Sequence, residues 1–294
     1  MYKLLTGLIL LLAAVTAQAT VEVVATTSTM GMLTRTVGGD AVSVQVLAPP
    51  DRDAHYLQAR PSMMAALRRA DLVVAVGAEL EVGWLPAALQ GAANPALNPG
   101  QIGYFEAAAQ VELIGAGGPA DRALGDVHPT GNPHVNMDPV RMAQVGRALA
   151  ERLARFDEAN ADRFRANAED FVRQVEQRLP VWREQVSGAP GMIAYHEDTS
   201  YLTTRLGVPV LGYVEPLPGI PPTARHLRDL VRELEGSEGV VIRAAHHPER
   251  GPRFIAEELG WTLYALPLDP PLDADARAYF ELIDQWVKAM AGTL

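Results

Sequence analysis

The chain has 294 residues, enough for one large domain or two ordinary ones, and 48% hydrophobic with 20% charged residues is typical of a globular protein. The formal net charge of −10 disfavours a nucleic-acid-binding protein, which would carry a basic surface. Because the chain has no cysteine, disulfides, thiolate metal sites and cysteine nucleophiles are excluded. Any metal must therefore be bound by His, Asp or Glu.

The N-terminus predicts export. Lys3 is followed by an apolar run over 4–15 and by Ala-Gln-Ala at 17–19, the pattern of a cleaved secretory signal peptide. We expect residues 1–19 to be removed and the mature chain to begin at Thr20. The run is short for a transmembrane helix, which needs about 20 apolar residues, and without cysteine no lipid anchor can be attached. The expectation is a soluble periplasmic protein.

The first part of the chain alternates strands and helices, which indicates an α/β fold. The continuous apolar run at 71–76 is typical of a parallel strand that is covered on both faces. Helices are predicted from after residue 29 to Val37 and at 61–70. Strands are predicted at 21–25, 42–47, 71–76 and 111–114.

From Pro139 the chain is rich in Ala, Arg, Glu and Leu with apolar residues at helical spacing, which predicts a helix to about Phe156 and a long helix over 158–186. The alternation of strands and helices then resumes. Strands are predicted at 192–195, 208–214, 239–242 and 262–266, with helices at 200–206, 223–235, 250–259 and 274–290.

A faint internal repeat relates 24–39 to 193–208, each reading as a strand, a polar turn and a helix that ends in Gly. This repeat predicts two lobes of like topology: an N-terminal α/β lobe over 20–157, a linking long helix over 158–187 and a C-terminal α/β lobe over 188–294. Ligands of such sheets bind beyond the carboxyl ends of the strands, so the default site is the cleft between the lobes.

Chemistry-bearing side chains fall at predicted strand ends and loop starts. His196 follows the strand 192–195 directly, His55 follows the second strand through a Pro-Pro-Asp turn, and His134 lies in a Gly-Asn-Pro-His turn. Asp269 follows the last strand. Three imidazoles and a carboxylate suit a four-coordinate zinc ion. The spacing is too long for any local metal motif, so each histidine taken alone could be an ordinary surface residue.

Four sequence segments and Asp269 occur in the same order as in a known protein family, and the resemblance spans most of the mature chain. They are 53–62 (D-A-H-Y…R-P-S), 70–85 (A-D-L-V…E-L-E…W-L), 132–139 (N-P-H-V-N-M-D-P) and 195–202 (Y-H…Y-L). In this order they resemble the zinc/manganese-binding periplasmic solute-binding proteins of metal ABC transporters, of the zinc-uptake type (cluster A-I).

The resemblance implies two Rossmann-like α/β lobes joined by one long rigid helix, and His55, His134, His196 and Asp269 as metal ligands, two from each lobe. It also implies capture rather than catalysis, with delivery to a membrane permease that an ATPase drives. Three histidines favour Zn²⁺ over Mn²⁺, which prefers more oxygen ligands. We expect a monomer that binds no nucleic acid, and a soluble metal chaperone is a further candidate partner.

The sequence departs from the family in the stretch 115–133, where a long loop rich in histidine and acidic residues is usual. Here His128 is the single histidine, and it is predicted to be either an accessory metal ligand or, by preference, a plain exposed histidine. Asn132 and Asn136 replace the usual Asp and Trp, which we interpret as a change in packing at the rim of the site.

Four other features stay open. Glu197 and Asp198 are interpreted as charges at a helix N-terminus in preference to acceptors for imidazole N–H groups. Asp273 and Asp275 are interpreted as the start of the final helix, which leaves Asp269 as the ligand.

The stiff, proline-rich segment 215–222 is expected to brace the lobes or shape the cleft. For His246 and His247 a solvated turn is favoured over a second metal site.

Rival functions remain at this point. A Mn²⁺-specific protein of the same type is one alternative. Another is a secreted zinc hydrolase with Glu197 as base, although the chain has no H-E-x-x-H helix. A binding protein for an organic solute would need aromatic residues in the cleft, and these make up only 6% of the chain. A metal-dependent adhesin or scaffold without a transport role is the last alternative.

Overall fold

The computed structural model of the protein describes residues 20–117 and 128–294. The predicted signal peptide over 1–19 lies outside the described residues, as does 118–127 within the glycine-rich stretch. No helix in the described ranges combines the length and the apolar character that crossing a bilayer would require.

The first lobe is built on a four-stranded parallel sheet with the strand order β2-β1-β3-β4. The inner strand β3 is buried along its whole length because helices cover both faces, which explains its uninterrupted apolar sequence. The strands are β1 (Val21–Ala25), β2 (Val42–Val46), β3 (Leu72–Ala75) and β4 (Tyr104–Glu106), and the helices are α1 (Ser28–Gly38), α2 (Pro61–Arg69) and α3 (Leu85–Ala92).

The prediction of a strand at 111–114 was wrong, because the fourth strand of this sheet lies earlier, at Tyr104–Glu106. Residues 111–114 form a bend and a turn whose apolar side chains pack partly buried against the core. The backbone of Ile114 bonds outside the sheet: its N–H donates to the hydroxyl of Tyr201 (3.1 Å), and its carbonyl accepts from the N–H of Asn132 (2.8 Å). Apolar content alone could not distinguish this packed loop from a strand.

The second lobe repeats the first, with the parallel strand order β6-β5-β7-β8. Both sheets thus begin at an inner strand, add the next strand on one side and the following two on the other. The prediction of two α/β lobes of like topology is confirmed. The strands are β5 (Met192–Ala194), β6 (Val210–Tyr213), β7 (Val240–Ala244) and β8 (Thr262–Leu266), and the helices flanking them are α6 (Ser200–Leu206), α7 (Ala224–Leu234) and α8 (Arg250–Leu259).

Three longer helices lie between and across the lobes: α4 (Pro139–Ala154), α5 (Ala161–Gln185) and α9 (Ala276–Met290). At 25 residues, α5 is about 37 Å long, given the rise of 1.5 Å per residue. It packs against α1, α4 and α9. Phe171 of α5 stacks on Phe280 of α9 with ring centroids 5.2 Å apart, so this helix shares a core with both lobes.

Polar contacts also join the lobes beside the cleft. The buried carboxylate of Asp138, which caps α4, accepts hydrogen bonds at 3.1 and 2.7 Å from the guanidinium of Arg205 on α6. The hydroxyl of Tyr201 donates to the carbonyl of Asn132 over 2.6 Å. These contacts hold the loop that carries His134 against the second lobe.

Candidate metal site

Three histidines from three loops meet in a cavity of about 340 Å³ between the lobes. Each of His55, His134 and His196 offers a ring nitrogen, and these nitrogens all lie within 4.8 Å of one another. The ring centroids are 5.2 Å apart for His134 and His196 and 5.3 Å apart for His55 and His134. The loops leave the carboxyl ends of the parallel strands, where sheets of this kind bind ligands.

The same local hydrogen-bonding pattern orients His55 and His134. Asp53 Oδ1 accepts from the backbone N–H of His55 (2.9 Å) and bonds its Nδ1 (2.7 Å). Asn132 Oδ1 does the same for His134, at 2.9 Å to both nitrogens. In each case an Asx side chain two residues before the histidine fixes both the backbone turn and the ring. Trp84 anchors the first of these loops, because its indole N–H donates to the carbonyl of Ala54 over 2.8 Å.

His196 lies two residues after the end of β5 and is oriented from a different part of the chain. Its Nδ1 bonds Glu215 Oε2 at 3.0 Å, and the same oxygen accepts from the N–H of Gly219. The proline-rich segment 215–222 therefore shapes the cleft by holding this carboxylate in place. Burial by itself would lower the pKa of His196. The hydrogen bond to Glu215 and the nearby Asp198 carboxylate together outweigh this effect, so the pKa of His196 is raised.

These three partners have one chemical consequence. Carboxylate and amide oxygens only accept hydrogen bonds, so Nδ1 of each ring carries the proton and Nε2 is left as the nitrogen available to a metal. Burial and the neighbouring imidazoles hold the pKa of His134 well below its ordinary value, so this ring is neutral and ready to ligate. The arrangement suits a divalent ion that prefers nitrogen ligands.

His128 joins the same cluster, so the preferred interpretation of a plain exposed histidine was wrong. Its Nε2 lies 3.2 Å from Nε2 of His55, close to the roughly 3.4 Å that separates two imidazole nitrogens on one tetrahedral zinc. Its Nδ1 bonds the carbonyl of Ala78 at 3.1 Å. That carbonyl is presented by a turn in which Ala78 and Glu79 both have positive φ, and the buried Glu81 carboxylate accepts N–H groups of the same turn.

Asp269 lines the same cavity but lies outside the group of ligand atoms that are mutually within 4.8 Å among the described residues. Its Oδ1 accepts from the N–H (3.0 Å) and the hydroxyl (2.5 Å) of Thr29, in the first turn of α1 in the other lobe. Burial raises the pKa of Asp269, while the bonds from Thr29 oppose that rise. Asp275 caps α9 by accepting from the N–H of Ala278, as expected.

A second set of ligand atoms lies beside the three histidines. Atoms of Asp53, His246 and His247 are also all within 4.8 Å of one another. The preferred interpretation of His246 and His247 as a solvated turn was wrong, because both rings line the cavity and the side chain of His247 is only 9% exposed. Asp198 does lie at a helix N-terminus, in the first turn of the short 3-10 helix Glu197–Thr199 that leads into α6, but it is buried. Burial raises its pKa to about 7, and its Oδ2 lies 3.8 Å from Nδ1 of His247. Glu197 is exposed.

The roles of three residues were missed from the sequence. Asp53 and Asn132 were noted within motifs, and Asn132 was assigned to rim packing, yet both orient imidazoles. An Asx residue two positions before each histidine was the signal that could have revealed them. Glu215 gave no such signal, because it lies 19 positions after His196 and only the pairing of β5 with β6 brings them together.

Comparison with known proteins gives one family. A model of the family described as "ZnuA: Zinc-uptake complex component A periplasmic" matches residues 23–293. The high-affinity zinc uptake system protein ZnuA of Yersinia pestis is 26% identical over 295 residues, with 92% of each chain covered. A crystal structure of ZnuA superposes with a TM-score of 0.75 at 20% identity, covering 92% of this chain and 99% of that one. The solute-binding protein FpvC of Pseudomonas aeruginosa in complex with Mn²⁺ gives 0.77 at 21% identity, covering 93% and 98%.

Proposed function

Because the chain belongs to the ZnuA family of periplasmic zinc-uptake components, we propose that it captures Zn²⁺ with high affinity in the periplasm and delivers it to the permease of an ABC transporter. Members of this family are the substrate-binding components of transporters, so the metal is cargo that the protein must both bind and release. The observation that supports this proposal most directly is the cluster of His55, His134 and His196, in which each Nδ1 is already bonded to an oxygen acceptor.

The donor set supports zinc. Imidazole nitrogens suit Zn²⁺, whereas Mn²⁺ prefers carboxylate, carbonyl and water oxygens. The Yersinia pestis relative is a zinc uptake protein, but the FpvC structure holds Mn²⁺. Manganese capture is therefore the second candidate, and the metal titration below separates the two.

For the fourth ligand we propose Asp269, with His128 as an accessory ligand. Asp269 lines the cavity and is held by Thr29 through Oδ1, so an approach of its other oxygen to the three histidines would complete three nitrogens and one oxygen around zinc. The Nε2 of His128 already has ligand spacing to His55. In this scheme His128 contacts the ion during capture or transfer, and Asp269 holds it in the final complex.

The remaining parts of the proposal follow from the transport role. The protein acts as a monomer after cleavage of the predicted signal peptide, and it receives zinc from solution or from a soluble chaperone. Catalysis is not part of its role, because a fourth protein ligand closes the position that a reactive water would need. The base suggested for a hydrolase, Glu197, is exposed and is not among the residues that line the cavity.

The decisive experiment uses chelator-stripped, tag-free protein of residues 20–294. Zinc is titrated in competition with a chromogenic chelator, and manganese is titrated in parallel. One tight zinc equivalent and a far weaker response to manganese would support the proposal, whereas tighter binding of manganese would favour the second candidate. Absence of any tight site would refute both.

A further inference from the structure

We propose that Asp53, His246 and His247 form a second, weaker binding site for a divalent transition metal, at the wall of the same cavity. This goes beyond the proposed zinc site, because none of its four proposed ligands belongs to the second set. The three ligand atoms lie within 4.8 Å of one another, the same limit that the three histidines of the first cluster satisfy. The rings of His246 and His247 are 4.5 Å apart and nearly perpendicular, at 75°.

An unsatisfied pair of buried polar atoms gives independent support. Nδ1 of His247 and Oδ2 of Asp198 are both buried, and neither has a hydrogen-bond partner among the described residues. They lie 3.8 Å apart, just beyond hydrogen-bonding distance. Buried polar atoms without partners are uncommon, so this pair calls for a reason. If a metal bound Nε2 of His247, a slight shift would let Nδ1–H donate to Asp198, as Nδ1 of His196 bonds Glu215.

The position of Asp53 links the two sites. Its Oδ1 is engaged by His55, a ligand of the first site, while its side chain also belongs to the second set. His196 and His247 approach within 6.1 Å between ring centroids. An anionic carboxylate between two cations reduces their mutual repulsion, so both ions can be bound at once. Two imidazoles and one carboxylate favour Zn²⁺, Co²⁺ or Ni²⁺ over Mg²⁺ and Ca²⁺.

The second site should bind more weakly than the first. It has three protein ligands, it is wetter, since the side chain of Asp53 is 26% exposed, and the carboxylate near His247 is not yet in hydrogen-bonding contact. An ion bound there would keep water in its open positions and would exchange readily. The site is therefore suited to hold an ion beside the cleft before or after it occupies the tight site.

The test is calorimetric titration of Zn²⁺ into the stripped, tag-free mature protein, repeated with Co²⁺ to follow ligand-field absorption. We expect two equivalents of Zn²⁺ to bind, the second about 10- to 100-fold more weakly than the first. His246→Ala should remove the weak equivalent and leave the tight one, and the double variant His246→Ala/His247→Ala should do the same. His226→Ala is the matched control, because that histidine lies on α7, where it bonds the carbonyl of Tyr213, and it should leave both equivalents.

Two results would overturn the second site: a single equivalent in the wild-type protein, or a weak equivalent that persists in the double variant. Neither would affect the proposed function, which depends on the tight equivalent. Conversely, His134→Ala should abolish the tight equivalent and leave the weak one. Loss of both in that variant would show that the two sets of ligands form one site, which also contradicts the inference.

Discussion

Oε2 of Glu215 accepts a hydrogen bond from Nδ1 of His196 at 3.0 Å, which places a negative charge on the side of the ring opposite the metal-binding Nε2. The carboxylate favours the protonated form of the ring, which contributes to the raised pKa of His196. Below that pKa a proton must leave before Nε2 can ligate a metal. The same carboxylate that orients the ring therefore also makes metal binding sensitive to pH.

We expect zinc affinity to fall as the pH is lowered, by up to about tenfold per pH unit for each ligand that must lose a proton. Glu215→Gln keeps an acceptor oxygen but removes the negative charge, so the pKa of His196 should decrease and the fall should begin at a lower pH. Competition titrations between about pH 5.5 and 8 would measure this. An identical pH profile in the variant would contradict this role of Glu215, whatever the substitution does to zinc affinity at the highest pH of the titration.

His134→Ala should weaken zinc binding by several orders of magnitude, because it removes a buried, neutral ligand from the centre of the cluster. The same variant should lose the increase in Tm that zinc gives the wild-type protein, since a ligand that binds only the native state stabilises it by mass action. His226→Ala is the control and should keep both properties. Unchanged affinity in His134→Ala would refute the proposed ligand set.

Asp269→Asn and His128→Ala should separate final affinity from capture. Asparagine still accepts from Thr29 but offers no anionic oxygen, so we expect equilibrium zinc affinity to fall, by roughly 10- to 100-fold. His128→Ala should change the rates of zinc uptake or of transfer to a chelator more than the equilibrium constant. Stopped-flow and equilibrium titrations measure the two. If His128→Ala costs more affinity than Asp269→Asn, His128 is the fourth ligand.

Arg205→Ala should destabilise the protein by about 2 kcal/mol, because it removes charge-assisted hydrogen bonds to a fully buried carboxylate that Arg141 still contacts. Chemical denaturation of the metal-free protein would measure the loss. Arg165→Ala is the control: it breaks a solvent-exposed bidentate ion pair between α5 and Glu151 of α4, and it should change stability little. Equal effects of the two variants would contradict the importance of the contact between the lobes.

Much of the architecture could be predicted because it is recorded in local patterns. The continuous apolar run at 71–76 and the repeated strand-turn-helix segments predicted parallel sheets in two lobes, and the helix and strand limits from residue 192 onward were close to those observed. The failure at 111–114 has a local cause: apolar residues in a loop that packs on the core look like those of a short strand. Local sequence patterns likewise could not predict that the chain brings His128, His246 and His247 to the cavity.

By itself the sequence determined which residue types could bind a metal, since the absence of cysteine left His, Asp and Glu, and the family resemblance singled out His55, His134, His196 and Asp269. Only the tertiary structure decided how those rings are used. Their partners come from two residues before in the chain or from a neighbouring strand, and a second cluster forms where Asp53 meets His246 and His247 from the other lobe. The physical reason is that ligation and hydrogen bonding depend on distances of a few ångströms, which chain folding sets and residue order does not reveal.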